Sequence, residues 1–377
     1  MKIAVNTRFL LKTNLEGIGW FTYETLRRMV ERHPEDEFIF FFDRPFEPEY
    51  IFGKNVTPVV LFPPARHPFL FVAWFDLAVA WALRKHRPDV FYSPDGFLSL
   101  LTAVPTLLVV HDIAHVHYPT QVGFFQRKYY DFFIPKFLKK SSHIVTVSEF
   151  SKQDIIREYG IENSKISVVA NGCRTVFVPL SESDVQSVRK EYSGGQPYFF
   201  YVGAIHPRKN VARLIEAFDI FKQKNNSSVK LLLGGRMAWQ TGEVKSAWEL
   251  AKSHADIKFL GYLDAQKLAQ LTAAAVAITY VSLLEGFGVP LLEAMYCDVP
   301  LITSRSSSMP EVAGDAAILV NPMDASAIAE AMERVTTDNI LRAQLVEKGR
   351  AQRQKFDWND SAEKIYEVLK KIKRHKV

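Results

Sequence analysis

Short apolar runs of strand length alternate with helical stretches along this chain, and the alternation is carried through twice. In the first half the strand candidates are Ile3–Val5, Phe38–Phe42, Asp89–Tyr92, Thr106–Val110, Ile144–Val147 and Ile166–Val169. In the second half they are Tyr198–Val202, Lys230–Leu233, Ile257–Leu260, Ala277–Val281, Pro300–Thr303 and Ala317–Val320. Several are continuous apolar runs, the pattern of parallel strands covered by helices on both faces. Helical stretches such as Trp20–Arg32 and Lys152–Tyr159 lie between them. Strand and helix alternating at this density predict a doubly wound α/β fold, and two such series predict two Rossmann-like domains.

The join is expected near Asn171-Gly172, which is turn chemistry, with Pro179 stopping regular structure soon after. Residues 1–170 then form an N-terminal domain and 171–357 a second one. Ser181–Gln196 is polar, carries Gly194-Gly195, and reads as a surface connector with a short helix. Residues 358–377 form a closing helix. Trp358, Ala362, Ile365, Leu369 and Ile372 recur at helical spacing and make one apolar stripe. Lys370, Lys371, Lys373, Arg374 and Lys376 follow, favourable at a helix C-terminus.

Composition removes several classes. Of the 377 residues 48% are hydrophobic and 23% charged, enough apolar residue for two cores and too much for a disordered chain. The two cysteines, Cys173 and Cys297, form no C-x-x-C and supply neither a disulfide framework nor a cysteine zinc site. The start, with Lys2 and Arg8 among its first residues, lacks the apolar core of a signal peptide, and no apolar stretch is long enough for a membrane helix. A cytoplasmic location is the expectation. The net charge is +6, and residues 364–377 contribute six basic residues against one acid. A nucleic-acid binder usually spreads its basic face across the fold, so nucleic acid is not expected as a partner. A peripheral contact with an anionic membrane remains compatible.

Chemistry concentrates at the ends of the proposed strands. After Ala277–Val281 comes Glu285-Gly286-Phe287-Gly288-Val289-Pro290-Leu291-Leu292-Glu293. Pro290 suits a first helical turn. The two glycines permit close backbone approach, and a helix N-terminus favours an anion such as phosphate. Two carboxylates at such a place make sense as acceptors of hydroxyl hydrogen bonds, so the combination suits a nucleotide sugar. The bland alternative is a helix capped by Glu285, with Glu293 solvated. After Tyr198–Val202 comes Gly203-Ala204-Ile205-His206-Pro207-Arg208-Lys209-Asn210, where two adjacent cations can grip a diphosphate or simply be solvated. Glu16-Gly17-Ile18-Gly19-Trp20 resembles part of a phosphate turn, but Thr22 stands where a dinucleotide fingerprint needs its third glycine. Helix packing explains those glycines equally well.

His111-Asp112 ends an apolar strand, where ligands bind in doubly wound sheets. His115 and His117 follow, but Ile113 and Pro119 suggest a loop that puts the histidines on no common face, so no metal is expected. No D-x-D occurs to hold a divalent ion on a diphosphate. Ser304–Ser308 before Met309-Pro310-Glu311 reads as capping and turn chemistry, with phosphate contact as the sharper reading. Phe69–Leu83 is apolar nearly all round, and Phe124–Lys140 mixes aromatic with basic residues. A helix with aromatic and basic faces can lie at a membrane interface. Core packing is the ordinary explanation for most such aromatics.

Together these motifs resemble the family 4 retaining glycosyltransferases, whose fold is the two-Rossmann GT-B architecture with domains facing across a cleft. The signature is the E-x7-E from Glu285 to Glu293, accompanied by Val147-Ser148-Glu149-Phe150-Ser151, Asn171-Gly172, the Gly203 to Asn210 segment, Pro310-Glu311-Val312-Ala313-Gly314 and Phe356-Asp357-Trp358. The resemblance implies a hexosyltransferase moving a sugar from a GDP-mannose- or UDP-glucose-type donor to a glycan or lipid-linked glycan, with no metal or other cofactor. It places Arg208 and Lys209 on the donor diphosphate, Glu293 on the ribose, and Glu285 with Gly286, Phe287, Gly288 and Val289 on the sugar. Gly203, Gly235 and Tyr262 would border the nucleotide. Gly17 would let the first loop approach the phosphates, His111 would face the transferred sugar, and Asp112 and Trp20 would meet the acceptor. Retention is implied to proceed by front-face attack, the leaving phosphate helping to take the acceptor proton. Asp298 departs from the glycine often found there. The readings left beside this one are a nucleotide-sugar epimerase of the same fold, a non-catalytic sugar-nucleotide binder, and, more distantly, a nicotinamide oxidoreductase.

Overall fold

The computed structural model describes residues 1–11, 15–65, 67–236 and 242–373. The chain divides into two compact units, Met1–Asn171 with Asp357–Val377, and Gly172–Phe356.

In the first unit the described strands are β1 (Lys2–Asn6), β2 (Glu37–Phe42), β3 (Val56–Val60), β4 (Val90–Ser93), β5 (Thr106–Val110), β6 (His143–Thr146) and β7 (Ile166–Val168). They form one parallel sheet in the order β3-β2-β1-β4-β5-β6-β7. In the second unit β8 (Tyr198–Val202), β9 (Lys230–Gly234), β10 (Ile257–Gly261), β11 (Ala277–Tyr280), β12 (Leu301–Ser304) and β13 (Ala317–Val320) form a parallel sheet in the order β10-β9-β8-β11-β12-β13. Both orders reverse direction beside the first strand of the unit, which opens a crevice at the strand carboxyl ends.

The apolar runs form these strands because both sheet faces are covered: Phe38, Phe40, Phe41, Leu107, Leu108, Phe199, Phe200, Leu231 and Leu232 are fully buried. One strand is absent from the sequence reading. β3 contains Pro58, which cannot donate to a ladder and argues against a strand by pattern alone; it is tolerated because β3 lies at a sheet edge. The aromatic stretch after β3 is helical over Pro68–Val72 and Ala80–His86, with a π-helical segment Ala73–Val79 between them.

The closing helix is Trp358–Ile372, N-capped by Asp357, whose Oδ1 accepts from the amides of Asn359 and Asp360. Its stripe of Trp358, Ala362, Ile365 and Leu369 is buried within the first unit. Trp358 lies edge-on to Phe21 of the helix Gly17–Arg32, with centroids 5.9 Å apart. Arg32 donates to Asn359 Oδ1 at 2.7 Å, and Tyr366 donates to Asp36 at 2.7 Å while stacking on His33. Of the basic tail, Arg374 and Lys376 lie outside the described residues.

Ile365 is fully buried and Lys364 on the same helix is exposed. Ile365→Ala is therefore expected to cost about 2–5 kcal/mol of stability and Lys364→Ala less than about 0.5 kcal/mol. Thermal melts of the two variants beside the parent chain check this; equal melting temperatures would show that the stripe is not load-carrying.

Candidate active site

In the second unit three loops at strand carboxyl ends build one charged cluster. Gly203 follows β8 with φ +145°, and Gly235 follows β9 with φ +137°. A Cβ added at Gly235 would lie 1.9 Å from the Gly203 carbonyl oxygen, so these two loop ends touch through a contact that only glycine permits. The chain then forms a 3-10 turn, Pro207–Lys209, and Asn210 takes a left-handed φ of +59° before the helix Val211–Asn225. The Asn210 side chain donates to the carbonyls of Val281 at 3.0 Å and Pro322 at 2.6 Å. That pins the turn carrying Arg208 and Lys209 to the end of β11.

Both cations meet Glu285. Lys209 Nζ donates to Glu285 Oε1 at 2.6 Å and to the Tyr280 hydroxyl at 2.7 Å. Arg208 donates to the Leu284 carbonyl and lies 3.4 Å from Glu285 Oε2. Burial by itself would raise the Glu285 carboxyl, but Lys209 and then Arg208 outweigh it and hold it below the ordinary value. Burial, reinforced by Glu285, pushes the Tyr280 phenol well above its usual range, so it stays a neutral hydrogen-bonding group. The helix-cap reading of Glu285 is thereby corrected: the residue at the cap position is Gly288, and Glu285 is the counter-ion of the two cations.

The serines at the end of β12 and just beyond it do something other than cap a helix. Ser308 shows no side-chain cap for Met309–Ala313; its hydroxyl donates to the Glu285 carbonyl at 2.9 Å. Ser307 Oγ accepts from the Glu285 amide at 3.2 Å, and Ser304 Oγ donates to the Ser282 carbonyl at 2.5 Å. These hydroxyls satisfy the buried backbone of the loop that carries Glu285, where an unpaired polar group would be costly.

Beyond this loop the left-handed conformation falls on Gly288, with φ +91°, and not on Gly286. A Cβ at Gly288 would lie 2.5 Å from Met309 Cε. Phe287 is buried edge-on to Phe356, 5.5 Å between centroids. The helix Val289–Tyr296 then opens with Val289 and Pro290 in its first turn. Glu293 on that helix is 4% exposed and accepts from Arg174 at 2.7 Å, so the solvated reading of Glu293 is also corrected. Burial raises its carboxyl above the ordinary value against the opposing effect of Arg174. Tyr262, following β10, is exposed. Asp298 has the left-handed φ of +57° that suits glycine, and its carboxylate pairs with Arg350 and Arg353.

In the first unit His111 follows β5. Its Nε2 donates to the Pro94 carbonyl at 2.9 Å and its ring stands edge-on to Phe21, 5.0 Å between centroids. Burial lowers its pKa, so a neutral ring is favoured. Asp112 Oδ1 accepts from the Ala114 amide at 3.0 Å. Trp20 is half-buried and edge-on to Tyr23. A Cβ at Gly17 would meet nothing within 4 Å, whereas one at Gly19 would lie 2.9 Å from the Phe9 carbonyl; the glycine needed for packing is Gly19.

Two features of this unit escaped the sequence reading. Arg8 is buried and paired with Asp95, which also accepts from Asn6 at 2.7 Å, and Phe97 and Phe71 flank the guanidinium at 4.6 and 5.0 Å. The only sequence signal was a charged residue directly beyond an apolar strand. The expected loop after Asp112 contains the short helix Ala114–His117, which sends its histidines apart: His115 to the Tyr159 hydroxyl at 3.1 Å, His117 to Asp154 at 2.8 Å. His117, Asp154 and Glu158 come close enough to share an ion, but Arg157 already bridges Asp154 and Glu158.

Comparison with known proteins agrees across both units. Residues 183–352 match the model described as glycosyl transferases group 1, and residues 15–177 match glycosyltransferase family 4. The chain is 30% identical over 373 residues to O-antigen chain mannosyltransferase B of Escherichia coli, covering 96% of this chain and 97% of that one. It is 30% identical over 229 residues to O-antigen chain mannosyltransferase RfbU of Salmonella typhimurium, 60% of each chain. Among solved structures, Anabaena HepE in complex with UDP and glucose superposes with a TM-score of 0.75 at 19% identity, over 98% of this chain and 99% of that one, and so shares its fold.

Removing the counter-ion tests the charged cluster. Glu285→Ala leaves Lys209 and Arg208 facing each other below the surface, and breaking a buried pair in this way is expected to cost about 3–5 kcal/mol. Because Glu285 is held below its ordinary 4.5, its stabilisation is complete above that pH and is lost as the pH falls through the lower folded-state value. Melting curves from pH 3 to pH 7 check both statements: Glu285→Ala should melt lower at neutral pH, and the gap to the parent should close in acid.

Proposed function

We propose that this chain, which belongs to the family 4 glycosyltransferases of GT-B fold, transfers a mannosyl residue from GDP-mannose to a hydroxyl of a growing lipid-linked glycan. On this reading the anomeric configuration is retained and no metal is required. Two relatives named as O-antigen mannosyltransferases support mannose as the sugar. A UDP-hexose is the alternative donor.

The observation that carries the reading is the pairing of Arg208 and Lys209 with the Glu285 carboxylate beyond the end of β11. Two cations gathered in a half-buried place at the strand ends suit a diphosphate. As the bond between the sugar and the diphosphate breaks, positive charge develops on the sugar and negative charge on the leaving group. Cations held beforehand by Asn210, Tyr280 and Leu284 stabilise that negative charge without reorganising during the reaction. When the diphosphate takes over Lys209 and Arg208, Glu285 is released toward sugar hydroxyls. Glu293 accepts from the ribose. The leaving phosphate assists in taking the acceptor proton, so no further carboxylate is required as a base. His111, neutral with Nε2–H committed to Pro94, offers Nδ1 as an acceptor for a sugar hydroxyl.

Lys209→Ala is expected to lower kcat/KM by on the order of 10²-fold or more, as for loss of one preorganised charge stabiliser, with Arg208→Ala following in the same direction. Excess EDTA should leave the rate within about twofold, well under 1 kcal/mol in the barrier. NMR of the product from GDP-mannose should show an α-linkage. Restoration of an EDTA-abolished rate by magnesium would overturn the metal-free reading, and a β-linked product would overturn retention.

Contact with the membrane that holds such an acceptor is part of the same proposal. Among the described residues no helix is long and apolar enough to cross a membrane. The crossings from β3 to β4 and from β5 to β6 run the same way across the sheet, so right-handed connections place the helices 68–86 and Phe124–Lys140 on one face. Tyr129, Phe137 and Leu138 turn inward, while Phe124, Phe125 and Phe132 stay exposed with Lys128 and Lys136 over two of the rings. On the other helix Leu77 and Trp81 are exposed beside a groove of about 390 Å³ shared with Val60 and Phe62, and Lys85 stands over Trp81. Exposed rings with basic partners suit an anionic bilayer surface. Vesicles containing phosphatidylglycerol should sediment the protein at low salt and release it at high salt, and replacing Phe124, Phe132 and Trp81 by Ser should weaken binding by tenfold or more. Absence of binding to any anionic vesicle would point to a soluble acceptor.

A further inference from the structure

The second carboxylate of the signature has a partner that the motif does not contain. Glu293 is 4% exposed, and among the described residues Arg174 is its one hydrogen-bonding partner, with NH2 to Oε1 at 2.7 Å. That is the length of a charge-assisted bond. Arg174 sits just beyond Asn171-Gly172, in the segment that leads into the helix Glu182–Ser193. Its guanidinium lies 4.8 Å from the ring centre of Phe177, itself 1% exposed, which fixes the approach of the fork to Glu293.

A carboxylate has about four lone-pair positions, and one donor leaves most of them open. Acceptor positions left open on a carboxylate that is almost wholly buried suit a ligand that brings donors. A vicinal diol such as that of ribose brings two. The carboxylate must be ionised to accept both, because a protonated acid becomes a donor at one oxygen.

We propose that Arg174 is the positioning residue of the ribose site: it holds Glu293 charged and turned so that its open lone pairs receive the hydroxyls of the donor nucleotide. This rests on the assignment of Glu293 to the ribose given above and extends it to a residue outside the motif. Among the described residues the other titratable groups facing Glu293 are Cys173 and Cys297, and burial pushes both thiols upward, so both are neutral. Arg174 is thus the charge that opposes the effect of burial on Glu293. Without it the carboxyl would keep its proton to higher pH.

Isothermal titration of the full chain with GDP and with UDP, from pH 5.5 to pH 9, tests this. The quantity to read is the affinity of each variant relative to the parent at the same pH, which cancels titration of the nucleotide phosphate. Arg174→Met should bind at least tenfold more weakly at pH 6 and recover toward the parent as the pH rises. Arg174→Lys, which keeps the charge and is the safer variant for folding, should stay within about threefold across the range, a factor worth less than about 0.7 kcal/mol. Glu293→Gln should bind weakly relative to the parent wherever the parent carboxyl is ionised, and adding Arg174→Met to it should introduce no recovery at high pH. An Arg174→Met loss of the same size at every pH, or no loss, would overturn the positioning role while leaving the ribose assignment standing. Parent-like nucleotide affinity in Glu293→Gln would overturn the ribose assignment itself, and this proposal with it.

Discussion

The second unit is organised around one buried charge arrangement, in which Glu285 is shared between Lys209 and Arg208. Taking three charged groups out of water is costly, and mutual attraction offsets that cost only when the remaining donors and acceptors are also satisfied. The surroundings meet this condition. Tyr280 takes a second hydrogen bond from Lys209, the Leu284 carbonyl takes one from Arg208, and Ser307 and Ser308 bracket the backbone of Glu285 itself. Asn210 ties the turn of the two cations to Val281 and Pro322, and the serine turn holds the backbone of Glu285, so each charged group is kept in place beside the others.

The same arrangement explains how an acidic residue can belong to an anion site. On the function proposed above, a diphosphate arriving at Lys209 and Arg208 would replace a protein carboxylate with a stronger ligand of the same sign, and the site would meet it already desolvated and already oriented. Glu293 follows a related logic. Arg174 donates to it, and in the proposed complex its remaining lone pairs would receive hydroxyls. Each carboxylate of the E-x7-E therefore has a cationic partner, two for Glu285 and one for Glu293, and all three cations come from segments far from the motif in sequence.

In the first unit the strand ends carry a different chemistry. Arg8 and Asp95 form a buried pair under a set of phenylalanine rings, and the Pro94 carbonyl next to Asp95 commits Nε2 of His111. Burial favours a neutral His111 ring against the opposing effect of the Pro94 carbonyl and Asp95, and the hydrogen bond to Pro94 leaves Nδ1 as the acceptor nitrogen. A histidine arranged this way is suited to orienting a hydroxyl and unsuited to carrying charge.

Sequence alone determined the alternation of strand and helix, the parallel sheets, the helical stripe from Trp358 to Leu369, and the family through the spacing of Glu285 and Glu293. These are legible because burial on both faces of a sheet, or on one face of a helix, leaves a periodic mark in the residues that do the burying. Tertiary structure alone decided who partners whom. It made Glu285 a counter-ion rather than a cap, brought Arg174 to Glu293, turned Ser307 and Ser308 onto a neighbouring loop, sent His115 and His117 to different partners, and admitted Pro58 to a strand at the sheet edge. Such pairings join residues as much as 119 positions apart, as for Arg174 and Glu293, and leave no periodic mark on either segment. A charged side chain beside a strand reads the same whether it faces water or a buried partner, and only the packed chain distinguishes the two.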